Sequence, residues 1–207
     1  MTDVAERTDG GELAEAPRPR GRTGLIVSAV VALLAVAFVV VLATSEPASE
    51  RRANSPLVGR AVPALAGETL DGGTFDIDAH RGRWVVVNFF ATWCAPCRVE
   101  HPELIAFDEE HRALGDAAVV SVVYRDTEAA ITEFFADNGG EWPILLNEDG
   151  QAPVAFGVVK VPETYLVDPD GRVMAKFTGG VTQEGLDGAI ADIEAAADAA
   201  AAEAGSW

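Results

Sequence analysis

Cysteine and positive charge are scarce in this chain. Its 207 residues hold two cysteines, and fifteen Lys and Arg against thirty-three Asp and Glu, a formal net charge of −18. Two cysteines exclude a multiply stapled scaffold and leave one intramolecular bridge, between Cys94 and Cys97. The shortage of cations excludes nucleic acid as a partner. Phosphate backbones are held by Lys and Arg, and residues 53–207 set nine of these against twenty-six acidic side chains. Histidine is rare too, and His80, His101 and His111 form no pair with metal-site spacing, so no metal is expected and all three read as surface residues. No internal repeat is visible. With 49% hydrophobic residues the chain is not a disordered polyanion, and its length fits one ordinary domain.

What is present begins with an apolar run. Thr23 to Ser45 contains no charge, and Leu25 to Leu42 is nearly unbroken Leu, Ile, Val, Ala and Phe. A helix rising about 1.5 Å per residue needs roughly 20 residues to cover a hydrocarbon core of ~30 Å, so residues 23–45 are expected to form a transmembrane anchor. A cleaved signal peptide is the alternative, with Val41-Leu42-Ala43 as its small-residue site, but signal cores usually run only about 7–15 residues. Arg18, Arg20 and Arg22 place the amino terminus in the cytoplasm and the remainder outside, although Arg51 and Arg52 on the far side vote weakly the other way. Residues 1–22 read as a disordered cytoplasmic tail, 46–56 as a tether, and 57–207 as an extracytoplasmic domain.

Within that domain, Leu65–Leu70 and Thr74–Ile77 flank Asp71-Gly72-Gly73, which predicts a hairpin. Trp84–Phe90 is apolar without alternation, as expected of a central strand buried on both faces. A helix from Cys94–Pro96 to Leu114, a strand at Ala117–Tyr124 and a helix at Thr127–Asn138 follow. Then come a short Ile144–Leu146 segment, strands at Glu163–Val167 and Arg172–Phe177 joined by Asp168-Pro169-Asp170-Gly171, and an Ala-rich helix at Thr182–Glu203. This order predicts an α/β sandwich with a sheet parallel in its middle and closed by a late antiparallel hairpin.

Trp93-Cys94-Ala95-Pro96-Cys97 falls where a buried strand meets a helix. Free amide groups and the helix dipole there stabilise negative sulfur and lower a thiol pKa. Cys94 is the expected nucleophile, and Cys97, one turn deeper, resolves the mixed disulfide. A structural staple and a metal half-site are the alternatives. A staple across so short a loop contributes only roughly 2 kcal/mol by the loop-entropy relation, and a zinc ion needs two further ligands.

The stretches Val86-Val87-Asn88-Phe89-Phe90-Ala91-Thr92-Trp93-Cys94-Ala95-Pro96-Cys97-Arg98-Val99-Glu100-His101-Pro102 and Gly157-Val158-Val159-Lys160-Val161-Pro162-Glu163-Thr164-Tyr165-Leu166-Val167-Asp168 resemble the thioredoxin superfamily. Within it, the likeness is to the membrane-tethered TlpA/ResA/CcmG (DsbE) thiol-disulfide oxidoreductases, over about residues 57–195. The fold so implied is a thioredoxin-like three-layer α/β sandwich with a mixed sheet, preceded here by the hairpin and one transmembrane helix. Pro102 matches the family's helix-interior proline. Pro162 matches its cis-proline, whose loop faces the cysteine pair and would leave the Val161 main chain free to bind an extended substrate. Glu100 shares the helix face of Cys97 and matches the ResA-like acid that exchanges a proton with the resolving thiol. In thioredoxins proper the buried acid lies on the preceding strand, where this chain has Asn88.

Glu163 matches an acidic CcmG position that contacts substrate, with a surface strand residue as the equal alternative. Trp93 packs over the motif. Arg98 matches a common basic position, either beside the thiolate or on a solvated face. The resemblance implies reduction of disulfides outside the cytoplasmic membrane, with apocytochrome c as substrate and electrons from a membrane thiol carrier of the CcdA/DsbD kind, and no cofactor beyond the Cys94–Cys97 pair. Alternatives are a disulfide donor for secreted proteins and a non-catalytic binding module of the same fold. A peroxiredoxin is a further alternative, though Phe90-Ala91-Thr92-Trp93 replaces the Pro-x-x-x-Thr/Ser-x-x-Cys setting it needs.

Overall fold

The structure is a computed structural model and describes residues 27–28, 30–36, 54–147 and 149–205. The chain divides into two units, Met1–Ser45 and Glu46–Trp207. In the first, residues 27–28 and 30–36 are helical and exposed. Among the described residues no helix is long and apolar enough to cross a membrane. The expected tail, most of the expected anchor, and all of the tether but residues 54–56 lie outside the described residues.

The second unit is a thioredoxin-like α/β fold around a five-stranded mixed sheet. Its strands are β3 (Trp84–Phe90), β4 (Ala117–Val123), β5 (Ile144–Leu145), β6 (Glu163–Val167) and β7 (Val173–Thr178), while β1 (Ala66–Glu68) and β2 (Thr74–Asp76) form a separate hairpin. The helices are α1 (Ala95–Leu114), α2 (Glu128–Asn138), α3 (Gln151–Phe156) and α4 (Gln183–Ala204). In the order β5-β4-β3-β6-β7, β5, β4 and β3 run parallel, and β6 and β7 run antiparallel to their neighbours. The parallel part therefore fills one side of the sheet rather than its middle, because β6 returns beside β3 in the opposite sense.

All seven residues of β3 are buried, and their parity divides the core. Trp84 and Val86 join Leu104 and Phe107 of α1 and Leu186 and Ile190 of α4. Val85, Val87 and Phe89 join Leu65, Phe75 and Ile77 from the hairpin region, with Phe156 of α3. Each fully buried Val or Phe contributes roughly 1.5–3 kcal/mol, and a charge at Val87 would lose that and strand an unpaired ion.

Both sheet edges are covered. Leu70 N–H donates to the Ile144 carbonyl at 2.9 Å and Leu146 N–H to that of Glu68 at 3.3 Å, so the hairpin shields β5. Gly59 N–H donates to Val173 O at 2.7 Å and Val173 N–H to Arg60 O at 2.9 Å, shielding part of β7. The hairpin turn is tied by Asp71 Oδ1, which accepts from Thr69 Oγ1 at 2.5 Å and from Gly73 N–H at 3.2 Å.

Candidate active site

Strand β3 ends at Phe90 and the chain turns through Ala91-Thr92-Trp93 into α1. Cys94 is the N-cap of that helix, extended at φ −84° and ψ 106°, and its Sγ accepts the Cys97 N–H at 3.3 Å. Pro96 costs the helix nothing in its first turn, where an N–H would lack an intrahelical acceptor. The same amide that caps the helix is thus aimed at the sulfur that must carry negative charge. Cys94 and Cys97 form a disulfide with Cα atoms 5.3 Å apart. Both are buried, whereas Ala95 and Pro96 between them are exposed and Trp93 is 60% exposed.

The loop after β4 grips the turn before Cys94. One carboxylate oxygen of Asp126 accepts from Thr92 N–H at 2.6 Å and Thr92 Oγ1 at 2.8 Å, and the other accepts from Thr127 N–H at 2.8 Å. Beside it, the Trp93 indole N–H donates to the Arg125 carbonyl at 3.2 Å. Arg125 has φ +50°, a left-handed conformation that a side chain other than glycine seldom adopts. Asp126 has no counterpart among the residues predicted from sequence; its one signal is an Asp-Thr pair at the start of α2.

The Val161–Pro162 peptide is cis, and Val161 packs against the cluster that contains Cys94 and Cys97. Among the described residues no hydrogen bond involves the Val161 N–H or C=O, while the Pro162 carbonyl accepts from Gly179 N–H at 3.0 Å.

Glu100 lies beneath this surface, 2% exposed. Asn88 Nδ2 donates to its Oε1 at 2.9 Å and Val181 N–H to its Oε2 at 3.0 Å. Asn88 also reaches Thr164 Oγ1 at 3.1 Å, so β3, β6 and the loop before α4 all converge on this carboxyl. Burial pushes the Glu100 pKa up to about 8, against the lowering effect of the Asn88 and Val181 hydrogen bonds. Asn88 supplies a neutral donor where a second buried acid would compete for the same proton. Glu100 sits three residues after Cys97 on one helical face, a proton store that exchanges around pH 8.

Several expectations need correction. Glu163 is not a surface residue. It is 1% exposed and its carboxylate pairs with Lys176 Nζ at 2.8 Å. Neighbouring Thr164 faces Asn88, so strand alternation turns Glu163 to the opposite side of the sheet, where its carboxylate meets Lys176. Lys176 Nζ also lies 5.2 Å from the Tyr165 ring centre. Burial alone would lower the Lys176 pKa, but Glu163 and Tyr165 together raise it.

The histidines are not plain surface residues either. His101 is 5% exposed, bonds the Gly139 carbonyl through Nε2 at 2.9 Å and packs on Phe134, Phe135 and Trp142. His111 bridges Asp116 and Asp187, each at 2.9 Å, and His80 is half-buried. Arg98 is exposed with its guanidinium carbon 5.4 Å from the Phe134 ring centre, which favours the solvated-face reading.

Residues 58–176 match the AhpC/TSA family. The thiol:disulfide interchange protein HelX of Rhodobacter capsulatus is 34% identical over 131 residues, covering 62% of this chain and 72% of HelX. The thiol-disulfide oxidoreductase ResA of Bacillus subtilis is 29% identical over 78% of this chain and 86% of its own length. Among solved structures, a putative thiol:disulfide interchange protein DsbE from Chlorobium tepidum superposes with a TM-score of 0.59 at 25% identity, over 64% of this chain and 94% of that one. With a cysteine pair capping α1 and a buried acid behind it, the chain belongs to the AhpC/TSA family and is a thiol-disulfide oxidoreductase similar to HelX and ResA.

Proposed function

We propose that this oxidoreductase reduces disulfides of apocytochrome c outside the cytoplasmic membrane, anchored through residues 23–45 and re-reduced by a membrane thiol carrier of the CcdA/DsbD kind. The observation that carries the exchange cycle is the buried Glu100 carboxyl, raised to about 8 and set one helical turn from Cys97, while the reductive direction rests on the resemblance to the TlpA/ResA/CcmG group. The Cys94 thiolate, favoured by the Cys97 N–H, attacks a substrate sulfur and forms a mixed disulfide. The ionised form of Glu100, in equilibrium with the protonated form around pH 8, takes the proton from Cys97, whose thiolate then breaks the mixed disulfide. The substrate leaves as a dithiol, the Cys94–Cys97 disulfide forms, and two electrons have moved to the substrate.

Trp93 and the main chain at Val161–Pro162 would hold an extended substrate, and Glu163, paired to Lys176, would support that loop from behind. No bound cofactor is required. The placement outside the membrane rests on the apolar run and its flanking arginines, and the substrate class on the likeness to HelX and ResA.

The test is Cys97→Ser in the native membrane, which stops the cycle at the mixed disulfide on Cys94. Capture of apocytochrome c or of a protein that delivers it supports the proposal. Capture of a broad set of secreted proteins would point instead to a disulfide donor, and no linked partner at all would remove the exchange mechanism.

A further inference from the structure

Four exposed large apolar side chains and three cations without a carboxylate partner lie near the cysteine pair. Beyond the first unit, the exposed large apolar residues among those described are Val58, Trp93, Val99, Leu114, Val154 and Val159. Four of them adjoin the disulfide or the groove beside it. Trp93 precedes Cys94, Val99 follows Cys97 by two residues, Val159 precedes Val161 by two, and Val154 lines the groove. That groove, about 460 Å³, also has Tyr124, Arg125, Asp126 and Val158 in its walls, and the Trp93 indole bonds its rim at the Arg125 carbonyl.

Between these apolar side chains stand Arg98, Arg125 and Lys160. All three are exposed, and among the described residues none makes an ion pair, whereas Arg81, Arg112 and Lys176 each do. Arg60, Arg83 and Arg172 also lack a carboxylate partner, but they lie toward the other end of the sheet, where β3 begins. Among the described residues the carboxylates lining the groove are Asp126, which accepts from Thr92 and Thr127, and Glu128 in the first turn of α2, and Asp149 lies between the lining residues Asn147 and Gly150. Glu163 pairs with Lys176, and Glu100 is buried beneath the surface. In a domain with twenty-six acidic and nine basic residues, three cations without a carboxylate partner thus stand with exposed apolar side chains beside the reactive sulfur, against Asp126 and Glu128.

We infer that the Trp93–Arg125–Lys160 rim docks a polypeptide whose reacting cysteine is flanked by acidic and apolar residues. This rests on the proposed disulfide reductase. Apolar side chains would settle against Trp93, Val154 and Val158 while Asp or Glu beside the cysteine meets Arg98, Arg125 and Lys160, and the acidic remainder of the domain repels wrong orientations.

The experiment uses the reduced full-length chain and three disulfide-bridged peptides of one length, with aspartate, lysine or serine flanking the cysteines. In each reaction the peptide S–S bond breaks, the Cys94–Cys97 bond forms, and two electrons and two protons pass to the peptide. At 0.15 M salt, where screening over about 8 Å removes the remote carboxylates and leaves the rim, the aspartate peptide should react roughly tenfold faster than the lysine peptide, with the gap closing as salt is raised towards 1 M. In the Arg125→Glu, Lys160→Glu variant the order of these two peptides should reverse. Equal rates, or a faster lysine peptide in the unaltered chain, overturn the inference. If the chain instead oxidises the dithiol peptides, the reductive direction fails while the same rate order still decides the docking surface. No exchange in either direction removes both.

Discussion

Glu100 combines almost complete burial with two donors and no cation. Its pKa is raised to about 8 from an ordinary 4.5, chiefly by burial. Above pH 4.5 an unfolded chain has released this proton and the folded chain retains it, so the group makes stability fall as pH rises, until about pH 8 where the folded carboxyl ionises as well. Glu100→Gln removes that slope and gives up one bond, since a Gln NH₂ cannot accept from Val181. The variant should therefore gain on the unaltered protein from pH 4.5 to 8, by on the order of 3–5 kcal/mol across the window, in urea unfolding of the oxidised form. A constant difference over that range would show that Glu100 titrates normally. Exchange should respond in the opposite direction, with release from the mixed disulfide slowed roughly 100-fold if Glu100 takes the Cys97 proton. A stabilised variant with unaltered release would leave Glu100 a structural role only.

At the scale of elements, α1 and α4 are joined by His111, which stands in the last turn of α1 and reaches Asp187 of α4 and Asp116 beyond the α1 cap. Burial alone would depress its pKa, but the two aspartates outweigh burial and raise it. The bridge is then complete below the unfolded value near 6.5 and weakens as pH climbs through the raised folded value. His111→Gln should lower the thermal midpoint more at pH 6 than at pH 9, and equal losses at both would show that protonation plays no part. His101 has the reverse sign: burial lowers its pKa, so protonation below about 6.5 favours unfolding.

Strands such as β3 were legible because continuous Val and Phe with no polar face suit only a strand covered on both sides. Helix α1 was legible because Cys94 begins it and Gly115, at φ +77°, ends it. Helix α3 was not: it has six residues with Pro153 among them, and Gly150 offers no capping side chain. Its first turn is held instead by Asp149 and Asn147, whose Oδ1 atoms accept from Gln151 and Ala152 N–H at 3.0 and 3.2 Å. The surface alternative for Glu163 failed because β6 is buried on both faces, which erases the alternation that would have shown where its carboxylate points. Burial of His101 depends on Phe134, Phe135 and Trp142, aromatic residues more than thirty positions away, and no local pattern in Glu-His-Pro-Glu announces them.

For the molecule as a whole, charge is the dominant long-range term. Residues 53–207 carry seventeen more negative than positive side chains, and few are offset by ion pairs. Compact folding crowds these carboxylates, whereas an unfolded chain separates them, so self-repulsion opposes the native state. Screening length falls from about 30 Å at 0.01 M salt to about 8 Å at 0.15 M, from roughly the width of a small domain to a few side chains. The Glu163–Lys176 pair, buried and in contact at 2.8 Å, is barely screened over that range, so it loses little while the surface repulsion is relieved. The thermal midpoint of the oxidised protein should therefore rise by roughly 2–4 °C between these two sodium chloride concentrations, equivalent to about 1 kcal/mol for a chain of this size. That range is too dilute for sodium chloride to strengthen apolar burial appreciably, so a rise reports charge. A midpoint that stays level or falls would mean that attractive surface pairs offset the repulsion, and the acidic excess would then affect encounter with partners rather than the fold.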